Sequence, residues 1–260
     1  MKNHAESITA LAIFLIIFIS SCGGPYTART VNQPSRKLAI ADQLFSDGKY
    51  QDAALEYKDY LAVFAGDERN DYAQFQLAEC YRKDEDYPLA AVEYRVLIND
   101  YGYSTYVDDA FYLEALCYFK QSRRVERDQT KTMEARNKLT RFLRFFPNSN
   151  RREEAQKLLA RVDDKLAEKK FIGGKLYFDR DHYSAARVYF ERTIDLYPQT
   201  VWAPRSKYYL GRILEKEGEA DQAARMYREV ITSEIDGIGE EREKAEKRFQ
   251  RISGELSDER

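Results

Sequence analysis

The sequence predicts an all-α fold, a superhelical array of about five helix-turn-helix repeats closed by a C-terminal capping helix. Three observations lead there. The chain is poor in turn breakers, with 12 Gly and 6 Pro in 260 residues, and its abundant Ala, Leu, Glu, Lys and Arg favour helix. Small residues recur in pairs twelve apart: Ala41 with Ala53, Ala78 with Ala90, Gly174 with Ala186, and Gly211 with Ala223. Aromatics recur in register with them, Tyr50, Tyr87 and Tyr183 at one position and Tyr57, Tyr94, Phe190 and Tyr227 at another. Small residues let antiparallel helices approach, and rings fill the space between neighbours.

The first segment is read as an export signal. Lys2 and His4 precede an apolar run from Ile8 to Ile19, interrupted only by Thr9. That run is short for a membrane-spanning helix and suits a signal-peptide core. Ile19-Ser20-Ser21-Cys22 resembles the bacterial lipobox, whose cysteine is lipidated and becomes the first mature residue. Cys22 is therefore the expected lipidation site. Residues 1–21 are the signal peptide, and 239 of the 260 residues remain. Gly23 follows Cys22 where an Asp would retain the protein in the inner membrane, so the lipobox resemblance implies sorting to the outer membrane. Residues 22–33 read as a flexible tether.

The body follows as repeats. Gly48–Tyr57, Glu85–Tyr94, Asp181–Phe190 and Gly218–Tyr227 each resemble the turn and second helix of a tetratricopeptide repeat, which has small residues at its eighth and twentieth positions. Five units result, at about 34–68, 71–104, 108–149, 167–200 and 204–237. Units one to three make an N-terminal half, 34–149, and units four and five a C-terminal half, 150–237. In unit three Ala115 and Ala135 are twenty apart, so eight residues are inserted, within Ser122–Thr130. Pro147 and Pro198 close their units, each twelve residues after the second small residue. Ala155, Leu158, Leu159, Val162 and Leu166 have helical spacing, so Glu153–Lys170 runs as helix straight into unit four. Residues 238–260 form the capping helix and a polar tail. Cys80 and Cys117 hold the tenth position of units two and three. Stacked helix axes lie about 8–10 Å apart, beyond the roughly 7 Å Cα separation a disulfide tolerates, so both are expected as buried free thiols.

Catalytic chemistry is hard to build from these residues. The histidines are His4 and His182, and removal of the signal leaves His182 alone. A multi-histidine metal site is then excluded, and any Ser-His-Asp scheme has one candidate base. Gly173-Gly174-Lys175 lacks the upstream Gly and the Ser/Thr of a phosphate loop. Gly174 is better explained as a packing residue. The chain reads as a non-enzyme with no metal and no cofactor beyond the lipid on Cys22. The net charge of −2 gives no field that selects nucleic acid. Charge is uneven, however. Asp42 to Phe119 holds 17 acidic and 6 basic residues, a balance of −11, and Lys120 to Arg152 holds 11 basic and 3 acidic, a balance of +8. The basic stretch is either a docking surface for an acidic partner or anionic lipid heads, or a solvated face paired with the acidic half.

The order of lipobox, tether, five repeats, inserted loop and terminal helix resembles the BamD family of outer-membrane assembly lipoproteins. Arg127-Asp128-Gln129-Thr130, Phe146-Pro147-Asn148-Ser149, Val162-Asp163-Asp164-Lys165-Leu166-Ala167-Glu168 and Tyr197-Pro198-Gln199-Thr200 are similar to strings of that family. The resemblance covers about residues 34–235. It implies a non-catalytic subunit of the β-barrel assembly machinery, anchored by lipid on the periplasmic face of the outer membrane. It further implies that the C-terminal repeats dock a BamA-like barrel subunit beside other assembly lipoproteins. The N-terminal repeats would receive unfolded outer-membrane proteins. Two alternatives stand beside it: another envelope repeat scaffold lipoprotein, or a glycan-binding repeat lipoprotein.

Family geometry also implies a client groove. It is lined by the second, fifth, ninth, twelfth and thirteenth positions of each first helix in the N-terminal half. These are Leu38, Asp42 and Phe45; Tyr72, Phe75, Glu79, Arg82 and Lys83; and Asp109, Tyr112, Leu116, Phe119 and Lys120. Phe45, Tyr72, Phe75, Tyr112 and Phe119 offer apolar pockets, and Arg82, Lys83 and Lys120 are candidates to receive a terminal carboxylate. The competing expectation is that these aromatics pack beneath neighbouring helices.

Overall fold

A computed structural model describes residues 33–258, and Cys22 with its tether lies outside them. Eleven helices and no strand are present among the described residues. They are α1 Pro34–Ser46, α2 Tyr50–Val63, α3 Asn70–Lys83, α4 Tyr87–Asp100, α5 Val107–Lys120 and α6 Thr130–Phe145. The second half holds α7 Arg152–Phe178, α8 Tyr183–Leu196, α9 Trp202–Lys216, α10 Ala220–Ile231 and α11 Gly239–Asp258. Each helix packs on its chain neighbours. This is the quasi-one-dimensional contact pattern of a repeat array. The all-α repeat fold is as expected, and α7 is a single helix of 27 residues. Its first part packs on α5 and α6, and its last part pairs with α8.

Four of the five hairpins turn by the same device. The backbone enters the left-handed region at Gly48, Glu85, Asp181 and Gly218, with φ of 77°, 61°, 60° and 81°. The N–H one residue later then reaches back five positions: Lys49 to Leu44 O, Asp86 to Tyr81 O, His182 to Tyr177 O and Glu219 to Leu214 O. This is the Schellman closure, which satisfies carbonyls that the helix end leaves unpaired. The four turn residues fall in two pairs 37 apart, so the repeat is longer here than the usual 34. The third hairpin lacks the device. Residues 121–129 bridge α5 and α6 instead, held from within by buried Gln129, whose side-chain amide donates to the carbonyls of Arg124, Val125 and Arg127 at 2.8–3.3 Å.

Packing inside each hairpin follows the small residue and the ring sixteen positions later. Ala41 and Tyr57, Ala78 and Tyr94, and Phe190 and Tyr227 are all fully buried. A Cβ added to Gly174 would lie 2.7 Å from Phe190 Cε1, and one on Gly211 would lie 2.7 Å from Tyr227 Cε1. These glycines are required by close approach, which places Gly173-Gly174-Lys175 inside α7 as a packing element. In unit three the ring is replaced by Leu139, also fully buried. Cys80 and Cys117 are buried free thiols. Burial pushes both up to about 12.

Candidate functional site

The residue after the small one, the ninth of each repeat, changes character along the array. It is Asp42 and Glu79 in the first two repeats, Leu116 in the third, and Lys175 and Arg212 in the last two. Its neighbours change with it.

In the N-terminal half the carboxylates gather tyrosine hydroxyls. Tyr57 donates to Asp42 Oδ1 at 2.5 Å, and Tyr72 from the next repeat donates to the same oxygen at 2.8 Å. Burial, then the Asp42 bond, pushes Tyr72 up to about 12. Tyr94 donates a short bond to Glu79 Oε1. Arg82 grips Glu79 with both arms of its fork, Nε to Oε1 at 2.7 Å and Nη2 to Oε2 at 2.5 Å. Burial alone would push the Glu79 carboxyl up. The bonds from Arg82 and Tyr94 outweigh it, and the net displacement is downward.

An open crevice of about 470 Å³ lies between α1, α3 and the loop before α5. Ser35, Leu38, Asp42, Asp71, Tyr72 and Tyr106 are among its walls. Of the groove residues read from the sequence, Leu38, Asp42 and Tyr72 line this crevice. Phe75 stacks on Tyr106 with ring centroids 4.8 Å apart. Phe45 packs edge-on against Tyr50 at 5.4 Å, within repeat one. Tyr112 packs against Phe142 at 6.2 Å, beneath the third repeat. Phe119 faces Arg161 and Lys165 of α7. Lys83 and Lys120 are exposed, and Lys120 Nζ lies 5.9 Å from the Tyr87 ring. The guanidinium of Arg82 is engaged by Glu79, so the exposed cations at this end are Lys83 and Lys120. The crevice floor joins the predicted Asp42 and Tyr72 to Asp71 and Tyr106, and the sequence reading gave its carboxylates no role. Tyr106, from an inter-repeat loop, was also missed.

The C-terminal half inverts the sign. Arg212 lies over Phe178 at 4.7 Å and over Tyr209 at 5.6 Å. Lys175 Nζ lies 5.5 Å from the Tyr209 ring and pairs with Asp179 at 2.5 Å. Phe190 and Tyr209 stack at 5.4 Å beside them. A cation over an aromatic face is an attractive pairing that leaves the charge partly available to a partner. This cation–ring cluster was legible in principle, by carrying the ninth-position register into units four and five. Among the described residues no group of three His, Cys, Asp or Glu converges to hold a metal. No helix among them is long and apolar enough to cross a membrane.

Comparison with known proteins places this geometry. The YfiO family of outer membrane lipoproteins matches residues 32–228, from the start of α1 into α10. The chain belongs to this family. The outer membrane protein assembly factor BamD of Rickettsia prowazekii (strain Madrid E) is 26% identical over 180 residues, 69% of this chain and 72% of that protein. BamD of Caulobacter vibrioides is 23% identical over 209 residues, 78% of this chain and 68% of that protein. A solved TPR repeats protein from Bacteroides fragilis NCTC 9343 superposes with a TM-score of 0.41 at 15% identity, over 86% of this chain and 89% of that one. The named relatives of this YfiO-family chain are assembly factors rather than catalysts.

Proposed function

We propose that this chain is a lipid-anchored, non-catalytic subunit of the machinery that assembles β-barrel proteins into the outer membrane. The observation that carries the reading is the family match over residues 32–228, with relatives named as assembly factor BamD. Cys22 carries the lipid, and the repeats stand on the periplasmic face. The cationic, ring-backed surface of repeats four and five docks a BamA-like barrel subunit. The crevice of repeats one to three, with Tyr72 and Tyr106 on its walls, takes extended segments of unfolded barrel clients. Its acidic floor favours segments with a basic side chain near their aromatic residues.

The test is depletion and capture in the native host. Depleting the protein should lower the level of outer-membrane barrels as a class, and the tagged full chain should bring down a barrel subunit from solubilised membranes. Lys175→Glu with Arg212→Glu should lose that capture while remaining helical. Normal barrel levels on depletion would overturn the assignment.

A further inference from the structure

Four of the exposed large apolar side chains lie on one edge of the array, where second helices end and first helices begin. Val63 closes α2, Tyr103 lies in the loop after α4, Phe145 ends α6 and Leu196 ends α8. They are 56%, 79%, 49% and 50% exposed. The loops of this edge form a continuous border. Arg69 Nη1 donates to Ser35 Oγ at the start of α1 at 3.1 Å. Ser35, Arg69, Thr105 and Tyr106 wall one crevice, and Gly102, Ser104 and Phe145 line the next. Ser149 Oγ donates to Asp108 Oδ2 at 2.7 Å across that second step. Phe145 is flanked by two exposed arginines, Arg144 at 4.8 Å and Arg141 at 5.8 Å from its ring. Neither forms an ion pair among the described residues.

Protruding loop tips that carry a ring and a guanidinium suit a bilayer interface better than a peptide groove. An aromatic side chain settles at headgroup depth, and the arginine fork matches phosphate. The tether leaves from this same edge, at Pro34. A flexible chain the length of residues 22–33 has a root-mean-square reach of roughly 20 Å, which would hold the edge close to lipid attached at Cys22. We infer that this edge rests on the phospholipid surface, with Tyr103 and Phe145 entering the interfacial layer and Arg141 and Arg144 taking anionic headgroup phosphates. The inference rests on the lipidation of Cys22 proposed above. It gives the protein a fixed orientation, with the opposite edge of hairpin turns facing away from the membrane.

The experiment places an environment-sensitive fluorophore at Tyr103→Cys or, as the opposite-edge control, at Ser46→Cys. Cys80 and Cys117 are buried and leave the new thiol as the accessible one. The lipidated full chain is reconstituted into vesicles of phosphatidylethanolamine and phosphatidylglycerol. The label at 103 should shift to the blue and be quenched by brominated lipid roughly threefold more than the label at 46. Arg141→Gln with Arg144→Gln should remove the dependence of that quenching on phosphatidylglycerol. Equal signals at 103 and 46 in vesicle-bound protein would overturn the inference. Protein that does not float with the vesicles sinks the anchor reading instead. The unlipidated Cys22→Ser chain, labelled in the same way and titrated with the same vesicles, then decides the edge: a preference for 103 supports it, and none refutes it. A label at 103 that contacts protein in native membranes and never lipid in vesicles also refutes it.

Discussion

The two halves of the array share one packing rule and differ in what they present beside it. In each hairpin but the third, a small residue meets a ring sixteen positions later. In the N-terminal half that residue is Ala, the ring is Tyr, and its hydroxyl reaches the carboxylate of the ninth position. In the C-terminal half it is Gly, the ring lies against the helix backbone itself, and the ninth position is a cation over neighbouring rings. At Tyr227 the hydroxyl has no hydrogen-bond partner, and both oxygens of nearby Glu215 are taken by Arg248 and Arg251 of α11. One scaffold thus carries surfaces of opposite sign, set by a single position per repeat.

The largest expected effect breaks the packing side of that contrast. Gly174→Val would drive a branched side chain into the fully buried Phe190 ring and should cost about 3 kcal/mol. Ala78→Gly, the reciprocal change in the N-terminal half, should cost about 1 kcal/mol, since it loses helix propensity and little packing. Urea denaturation of the full chain measures both, and equal costs would mean the glycines are incidental.

The polar side is tested at the rings. Tyr94→Phe removes a hydrogen bond to a charged carboxylate and should cost about 2 kcal/mol. Tyr227→Phe removes an unpartnered hydroxyl and should change stability by less than about 0.5 kcal/mol. The acidic half should also carry the acid sensitivity. Glu79 is displaced downward on folding, so the folded protein holds its charged form more tightly than the unfolded chain does. Its contribution is complete above an ordinary carboxylate pKa of about 4.3 and is lost as pH falls below it. Glu79→Gln should flatten the decline of thermal stability across that range, and an unchanged slope would remove Glu79 from the account.

The fold was legible because it is built mainly from helices that pack on their neighbours in the chain. Spacings of twelve and sixteen residues are read directly from Ala41, Ala53 and Tyr57 and their equivalents, and repetition supplies its own check. The groove was legible only in part. The Glu79–Arg82 pair is three residues apart on one helix face, so the sequence already contained the reason Arg82 is not a free donor. Tyr106 was not legible: it reaches Phe75 from the loop between repeats two and three, and nothing in the helical period fixes a loop's direction. Tyr112 and Phe119 hold the fifth and twelfth positions of the groove register, those of Phe75 and Arg82 in repeat two. In the third repeat α7 supplies partners for Phe119, and Phe142 of α6 packs on Tyr112, so the same positions serve packing there.

The last contrast compares the halves at their turns. The left-handed position is Gly in repeats one and five but Glu85 in repeat two and Asp181 in repeat four, with φ of 61° and 60°. A residue with a Cβ is strained there by about 1–2 kcal/mol, part of which Gly returns through its larger unfolded-state entropy. Glu85 is exposed and its side chain makes no bond among the described residues, so Glu85→Gly should stabilise by about 0.5–1 kcal/mol. Asp181 differs in two respects. Aspartate tolerates the left-handed region better than glutamate, and its carboxylate accepts a short bond from the Tyr183 hydroxyl. Asp181→Gly should therefore gain less, and Tyr183→Phe in the same background should recover none of the difference. Thermal melts of the two glycine variants measure the gap. A gain at Asp181 equal to that at Glu85 would show that the aspartate's local bond contributes nothing to the turn.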